Sequence, residues 1–342
     1  MGINICMLNY RDIRKVHLEL TTHCNARCPL CIRNFHGSDH NSGYPLTSLT
    51  LSDIQKIFPV DFVQQLDHIY CGGNFGDFIM AKDALDILNY FRTTKPTIKL
   101  SGSTNAGIRP AAFWEELARL DLEIHFCIDG VGESHSLYRI DTEYDTVIQN
   151  AKTFITAGGN AVWMMTKFDH NIDQIDTARK IAAELKFANL RLRDVGRNTG
   201  PAYTRSGQLM HFIGKPQGLE KITRDQALKA TTKNVADYKY HNIVPATKFS
   251  CEVVYDASIY IDALGEVYPC CHIGHYPKTL DTNRIFGSDQ ITDMVREVKN
   301  NALECGIEQA VSWLVEVDNR FSIPTFEEGR LYRCHDHCGI DK

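Results

Sequence analysis

The sequence predicts an α/β fold: a β/α barrel or an open β/α sheet, followed by a smaller cysteine-rich α+β domain. Three observations carry this reading. Short apolar or β-branched runs alternate with amphipathic helical stretches up to about residue 196, the alternation stops over 197–250, and six of the twelve cysteines fall after residue 250. Strands separated by helices pair in parallel through right-handed crossovers.

Six runs read as strands: KVHLELTT (15–22), HIYC (68–71), TIKLS (97–101), EIHFCID (123–129), AVWMMT (161–166) and NLRLRDV (189–195). Between them lie the helical stretches SDIQKIFPVDFVQQL, AKDALDILNYFRTT, PAAFWEELARL, EYDTVIQNAKTFITAG and IDQIDTARKIAAELK. Ser52 before Asp53, and Pro110 in a first turn, are helix-start signals. Residues 197–250 are polar and punctuated by Gly and Pro, which predicts a linker or insertion with one helix over 219–236. In ASIYIDALGEVYPCC two strand-like runs flank DALG, which predicts a hairpin, followed by a helix over 288–304. The expected domains are therefore 1–196, an intervening 197–250, and 251–342.

Composition narrows the function. A formal charge of −5 opposes a nucleic-acid partner, because phosphate binding needs clustered Lys and Arg. No apolar run reaches the roughly 18 residues of a membrane span. The N-terminus has no signal-peptide core, so the expected location is the cytoplasm and no membrane partner is expected. There, twelve cysteines point to metal or catalysis rather than disulfides. Cys6, Cys71 and Cys127 sit apart in apolar or strand-like settings and read as small buried residues.

The stretch TTHCNARCPLCIRN places Cys24, Cys28 and Cys31 in a C-x3-C-x2-C order with no fourth cysteine beside them. A cubane iron–sulfur cluster takes four ligands, so three thiolates from one loop leave one iron open to chelate a cofactor or substrate. Pro29, lacking an N–H, keeps the segment out of a helix. Zinc prefers paired C-x2-C units, and only Cys28 and Cys31 make one.

In spacing and in its place after the first strand, this loop resembles the signature of the radical S-adenosylmethionine (SAM) superfamily. The resemblance implies a partial (β/α)6 TIM-like barrel with a SAM-binding 4Fe-4S cluster on Cys24, Cys28 and Cys31. CGGNFGDF (71–78) is similar to the family's Gly-Gly-Glu-Pro element, which binds the SAM amine. Gly72 and Gly73 match, while Asn74, Phe75, Asp77 and Phe78 stand in a longer motif without the Glu and Pro. SGSTNAG (101–107) and CIDGVGESHSLYR (127–139) resemble further family stretches, implying ribose contacts from Ser103 and Asn105, a cofactor contact at Asp129, and a SAM-carboxylate pair with Arg139. TKFDHNIDQID resembles the segment after the fifth strand, with Asn171 as a helix cap rather than a ligand contact.

The C-terminal pattern C251-x13-G265-x4-C270, followed by C334-x3-C338, resembles the SPASM or twitch domain of the same superfamily. It implies an auxiliary 4Fe-4S cluster, most simply on Cys251, Cys270, Cys334 and Cys338, with Cys271 or Cys305 as substitutes. Adjacent thiols at 270 and 271 do not suit one cluster corner each, so one of them is a packing residue. A structural zinc site is the alternative, with His272, His335 and His337 as nitrogen ligands.

The implied mechanism is reductive cleavage of SAM to methionine and a 5′-deoxyadenosyl radical that takes a hydrogen atom from substrate, with a flavodoxin or ferredoxin as reductant. A peptide or protein side chain is the leading substrate class. A small alcohol or sugar is the second, and a non-enzymatic electron-transfer protein the third. Strand one begins near residue 15, so no N-terminal leader-binding domain is expected.

Overall fold

The structure is a computed structural model of the 342-residue chain. It describes residues 8–38, 45–194, 200–214, 250–275, 288–296, 298–321, 323–326 and 328–339. Cys6 and the helix expected over 219–236 lie outside these residues.

All six expected strands form: β1 (Lys15–Leu18), β2 (His68–Cys71), β3 (Lys99–Thr104), β4 (Glu123–Cys127), β5 (Asn160–Thr166) and β6 (Asn189–Arg193). They pair in parallel in sequence order. The C-terminal hairpin also forms, as β9 (Ser258–Ile261) antiparallel to β10 (Val267–Tyr268). It does not stand apart from the first sheet. Strand β9 pairs parallel with β1, from Lys15↔Ser258 to Leu18↔Ile261, so one eight-stranded sheet runs β10-β9-β1-β2-β3-β4-β5-β6. Ile259 and Ile261 face the helical layer alongside Val16 and Leu18, all at most 1% exposed, and this shared apolar face holds the edge in register.

Helices α1 (Leu51–Ile57), α2 (Val60–Gln65), α3 (Ala84–Thr94), α4 (Ala111–Arg119), α5 (Ser134–Tyr138), α6 (Tyr144–Thr156) and α7 (Ile175–Glu184) fill the crossovers. The stretch expected as one helix over 52–66 splits at Pro59, which lacks the N–H that a continuous ladder needs and sits at the N-cap of α2. Its start also differs, because the cap is Thr50 and not Ser52. Asp53 N donates to Thr50 Oγ1 at 3.1 Å while Thr50 N donates back to Asp53 Oδ2 at 3.0 Å. Pro110 occupies the N-cap of α4 rather than its first turn. The outer core packs Phe58 against Phe62 and Phe91, at ring distances of 5.6 and 5.1 Å, and Trp114 against Phe126 at 5.5 Å. Each such fully buried side chain contributes roughly 1.5–3 kcal/mol.

Within 197–250 the described part is a hairpin, β7 (Gly200–Tyr203) with β8 (Leu209–Ile213), which corrects a purely linker reading there. C-terminal to it come α8 (Glu252–Tyr255), α9 (Cys271–Gly274), α10 (Ser288–Arg296), α11 (Ala302–Cys305), α12 (Ile307–Val311), α13 (Leu314–Phe321) and α14 (Tyr332–Cys338). The single helix expected over 288–304 is two. Asn300 Nδ2 donates to Val267 O and Asn301 Nδ2 to Leu264 O, tying the intervening chain to the β9–β10 hairpin, and the Asn301 side chain then caps α11. Among the described residues no helix is long and apolar enough to cross a membrane.

Candidate functional site

The three-cysteine loop leaves the sheet just beyond β1 and is irregular from Thr22 to Leu30, as Pro29 and Asn25 favour. Thr22 Oγ1 donates to Pro45 O at 2.8 Å and Arg33 Nε to Thr22 O at 3.1 Å, which pins the loop to its own return segment. Every described cysteine is a free thiol. Asn105 Nδ2 approaches Cys24 Sγ at 3.6 Å, Arg139 Nη1 approaches Cys28 Sγ at 3.7 Å, and Cys31 Sγ donates to Asn74 O at 3.9 Å. Burial pushes the Cys28 thiol up to about 11 against the pull of the Arg139 guanidinium, and burial also raises Cys24. Cys28 and Cys31 act on the Cys24 thiol and Cys31 on the Cys28 thiol, so the three stand in one electrostatic group. Buried thiols become thiolates when a metal holds them. An all-sulfur donor set with a third ligand per short turn fits an iron–sulfur cluster. Among the described residues, no three Cys, His, Asp or Glu side chains gather as ligands of a single ion. Ligands of a multi-iron cluster stand farther apart than those of one ion.

Gly72 and Gly73 close the end of β2 against this loop. A Cβ on Gly73 would lie 2.3 Å from Gly76 O, and one on Gly76 would lie 1.8 Å from Thr21 O, so the turn needs bare backbone at both. The carboxylate that braces it comes from Glu19, a residue the motif comparison missed. Glu19 Oε1 accepts from Phe75 N at 2.7 Å and Gly76 N at 2.8 Å, and Glu19 Oε2 accepts from the Tyr260 hydroxyl of β9. Burial raises the Glu19 carboxyl to about 7, against the opposing pull of those three donors. Asn74 Nδ2 donates to Cys271 O at 3.0 Å, so the turn also touches the C-terminal cysteine region. Asp77 is buried and accepts from Asn105 N at 2.7 Å and Thr104 Oγ1 at 3.0 Å, joining the β2 and β3 loops.

Asn105 Oδ1 accepts from Gly107 N, and its Nδ2 also reaches Asn25 Oδ1 at 3.0 Å. Asp129 is fully buried; its Oδ2 meets Arg139 Nε at 2.6 Å and its Oδ1 accepts from Thr166 N at 2.6 Å. Arg139 thus spans Asp129 and Cys28. Asn171 precedes a short 3-10 turn, but its side chain makes no cap hydrogen bond. Its Nδ2 donates to Asp129 O and Thr166 O, and its Oδ1 accepts from Phe168 N, which replaces the expected helix-cap role with a brace across strand ends.

After residue 250 the structure gathers Cys251, Cys270, Cys334 and Cys338. The Cys338 thiol is raised first by its hydrogen bond with Cys251, then by burial and by Cys334 and Cys270, while Arg330 and Arg333 pull Cys334 the other way. Burial pushes Cys270 up to about 12. Cys271 adjoins the first sheet through its carbonyl, which accepts from Asn74 Nδ2. Cys305 is elsewhere, donating to Asn301 O at 3.1 Å at the end of α11. His272 and His337 pack ring to ring at 4.1 Å, and His335 packs on Phe326 at 5.4 Å. Cys71 is a buried small residue as expected, and burial also raises the Cys127 thiol, against the pull of Arg139.

The inner face of the sheet is polar, and Ser103 belongs to it. Tyr70 OH donates to Ser103 Oγ at 2.8 Å, Ser103 Oγ lies 3.3 Å from His125 Nδ1, and His125 Nε2 lies 2.7 Å from Glu123 Oε1. His17 Nε2 donates to Gly72 O at 2.8 Å, its ring 4.9 Å from Tyr70 and 5.0 Å from Tyr260. The alternation of polar residues along β1 to β4 was the signal for this face.

No protein-family model and no curated protein sequence matches the chain. Among solved structures it is similar to SuiB of Streptococcus suis bound to S-adenosylmethionine, with a TM-score of 0.56 and 14% identity over 94% of this chain and 77% of that one. The same protein bound to the precursor peptide SuiA gives a TM-score of 0.53 and 14% identity over 96% and 76%. AnSMEcpe with bound AdoMet and Cp18Cys peptide gives 0.50 and 13% over 95% and 89%. Identities this low speak for the fold alone. The parallel sheet, the cysteine loop at the end of β1 and these similarities together show that the chain has the partial-barrel fold of the radical SAM enzymes that its cysteine loop resembles.

Proposed function

We propose that the chain is a radical SAM enzyme acting on a peptide or protein side chain. The observation that carries this is the convergence of Cys24, Cys28 and Cys31 with Asn105 and Arg139 beneath a Gly72–Gly73 turn at the C-terminal end of parallel strands, the end where β/α folds bind ligands. When bound, a reduced 4Fe-4S cluster supplies the electron that cleaves SAM to methionine and a 5′-deoxyadenosyl radical, which takes hydrogen from substrate. Cys24, Cys28 and Cys31 would hold that cluster. Arg139, fixed by Asp129, offsets the negative charge gathered at Cys28 and reaches for the SAM carboxylate. The Gly72–Asn74 backbone, next to the Phe75 and Gly76 amides that Glu19 holds, would receive the SAM amine, and Asp77 and Asn105 fix the loops around it.

Cys251, Cys270, Cys334 and Cys338 would hold an auxiliary 4Fe-4S cluster in a SPASM/twitch-like unit spanning 251–342, whose β9–β10 hairpin extends the sheet of the barrel unit spanning 1–196. The peptide reading draws support from similarity to SuiB with SuiA and anSMEcpe with a Cp18Cys peptide. A flavodoxin or ferredoxin is the proposed reductant and the cytoplasm the proposed location. The test is 5′-deoxyadenosine production by anaerobically reconstituted protein given SAM and dithionite. Absence of that product from protein holding its full iron content would overturn the reading.

A further inference from the structure

The inner face of the sheet carries a hydrogen-bonded chain that engages the Ser103 hydroxyl, expected at the SAM ribose, with Tyr70 and His125 instead. It runs from Tyr70 on β2 through Ser103 on β3 to His125 and Glu123 on β4. Its direction follows from chemistry. Glu123 is acceptor-only as a carboxylate, and its 2.7 Å contact is shorter than the 3.3 Å approach of the Arg191 Nη1 donor to the same nitrogen, so the imidazole proton is assigned to His125 Nε2 and Nδ1 is left as an acceptor. Ser103 then donates to Nδ1, and Tyr70, at 2.8 Å, donates to Ser103. The Tyr70 oxygen is left presenting lone pairs.

Its position is equally specific. The Tyr70 ring lies directly against Gly72, where an added Cβ would stand 2.6 Å from Tyr70 Cε1, and Asn74 of the same turn donates to Cys271 O at 3.0 Å. Tyr70 therefore stands against the proposed SAM-binding turn, which itself touches the C-terminal cysteine region. The far end of the chain reaches the opposite end of the strand, where the Glu123 side chain is 20% exposed and Arg191 of β6 lies 3.5 Å from its Oε1. A proton entering at Tyr70 has an exit to solvent.

We propose that Tyr70, Ser103 and His125 form a proton relay that accepts the proton of a substrate hydroxyl bound below the Gly72–Gly73 turn. This rests on the radical SAM reading above. An O–H on a carbon that has lost a hydrogen atom is far more acidic than an ordinary alcohol, which brings it within reach of an imidazole acceptor. In the step the substrate O–H bond breaks, its proton goes to the Tyr70 oxygen, the Tyr70 proton passes to Ser103 Oγ, and the Ser103 proton to His125 Nδ1. The electron pair of the broken bond stays on the substrate oxygen and the odd electron stays on the substrate, so the step is redox-neutral. Glu123 pairs with the imidazolium that results. Burial pushes Tyr70 up to about 12 and lowers His125, so Tyr70 conducts the proton and a neutral His125 receives it. The charged and titratable groups facing His125 are Glu123 on β4, Arg191 and Arg193 on β6, and Tyr70 on β2.

The test uses the reconstituted holoenzyme with SAM and dithionite. Its probes are seryl, threonyl and tyrosyl tripeptides, each against its alanyl, valyl or phenylalanyl counterpart, and glycerol as a small alcohol. The hydroxyl probe of at least one pair is expected to raise 5′-deoxyadenosine over the SAM-only level while its counterpart does not. That rise is expected to fall away as pH drops through the His125 titration, below its usual range. Tyr70→Phe and His125→Gln, checked for folding by thermal melting, are expected to lower kcat for the probe by roughly a hundredfold with little change in KM, and Tyr70→Phe to lose the acid limb. Ser103→Ala, which interrupts the chain without touching either end, is expected to do the same. Equal stimulation by the counterparts, a wild-type kcat and acid limb in Tyr70→Phe, or SAM cleavage that no hydroxyl probe stimulates would each overturn the relay. Stimulation by glycerol alone keeps the relay and overturns the peptide substrate. No 5′-deoxyadenosine under any condition overturns the radical SAM reading, and the relay with it.

Discussion

The Arg139 guanidinium lies 3.7 Å from the Cys28 sulfur while its Nε holds the fully buried Asp129 at 2.6 Å. One side chain therefore ties the end of β4 to the cysteine loop. Arg139→Ala leaves a buried carboxylate without its counter-charge, and a loss of about 3 kcal/mol in stability is expected from the urea midpoint. In the holoenzyme, SAM affinity is expected to fall by roughly 1.5–3 kcal/mol, measured by calorimetry. An unchanged SAM affinity would leave Arg139 as a brace for Asp129 only.

Removing loop thiols is expected to separate the two cysteine groups. Cys28→Ala should fold but make no 5′-deoxyadenosine, because two thiolates do not hold the cluster. Reconstituted wild type is expected to bind about eight irons, and a Cys24/Cys28/Cys31→Ala variant about four with cluster charge-transfer absorption. If the triple variant instead carries about one zinc and essentially no iron, Cys251, Cys270 and Cys334 belong with the nearby histidines in a structural zinc site.

Glu19 makes stability depend on pH in a defined window. Its carboxyl is raised by burial from the ordinary 4.5 to about 7 in the folded chain. Below 4.5 both folded and unfolded chains are protonated there, so the group contributes no difference. As pH rises the unfolded chain ionises first, and stability is lost until the folded carboxyl also ionises near 7. The span is about 3 kcal/mol. Glu19→Gln is expected to flatten denaturant midpoints across that window, and a wild-type slope in the variant would count against the assignment.

Gly76→Ala is expected to displace the turn, since the new methyl would lie 1.8 Å from the Thr21 carbonyl oxygen. That backbone has no room to yield while Glu19 holds Phe75 and Gly76. Loss of SAM affinity of tenfold or more is expected by calorimetry. Gly132→Ala is the comparison: it has a positive φ of +64° and nothing within 4 Å, so it should cost only about 1–2 kcal/mol of backbone strain. Similar SAM affinity in both variants would show that the turn tolerates displacement.

Local chemistry made much of this molecule legible. The six strands were readable because apolar and β-branched runs between amphipathic stretches leave few alternatives, and the three-cysteine loop because its spacing and its place after β1 are local facts. The cap at Thr50 was missed in favour of Ser52, since both are good cap residues and only the backbone decides which side chain reaches Asp53 N. The break in the helix after residue 288 was also missed, because the hydrogen bonds from Asn300 and Asn301 that end it go to the distant β9–β10 hairpin.

Tertiary structure alone placed β9 beside β1 and so brought Tyr260 to Glu19, residues 241 positions apart in the chain. It also decided what the polar residues of the strands do. His17, Tyr70 and His125 alternate with buried apolar residues as they would on a solvent-facing sheet, Ser103 lies between Gly102 and Thr104, and a period of two reports only that one face is polar. Parallel pairing through outer helices turns that face inward, where the same side chains lose water and take one another as partners. Whether a polar face meets solvent or a site depends on curvature and on what covers it, and both arise from contacts between segments far apart in the sequence.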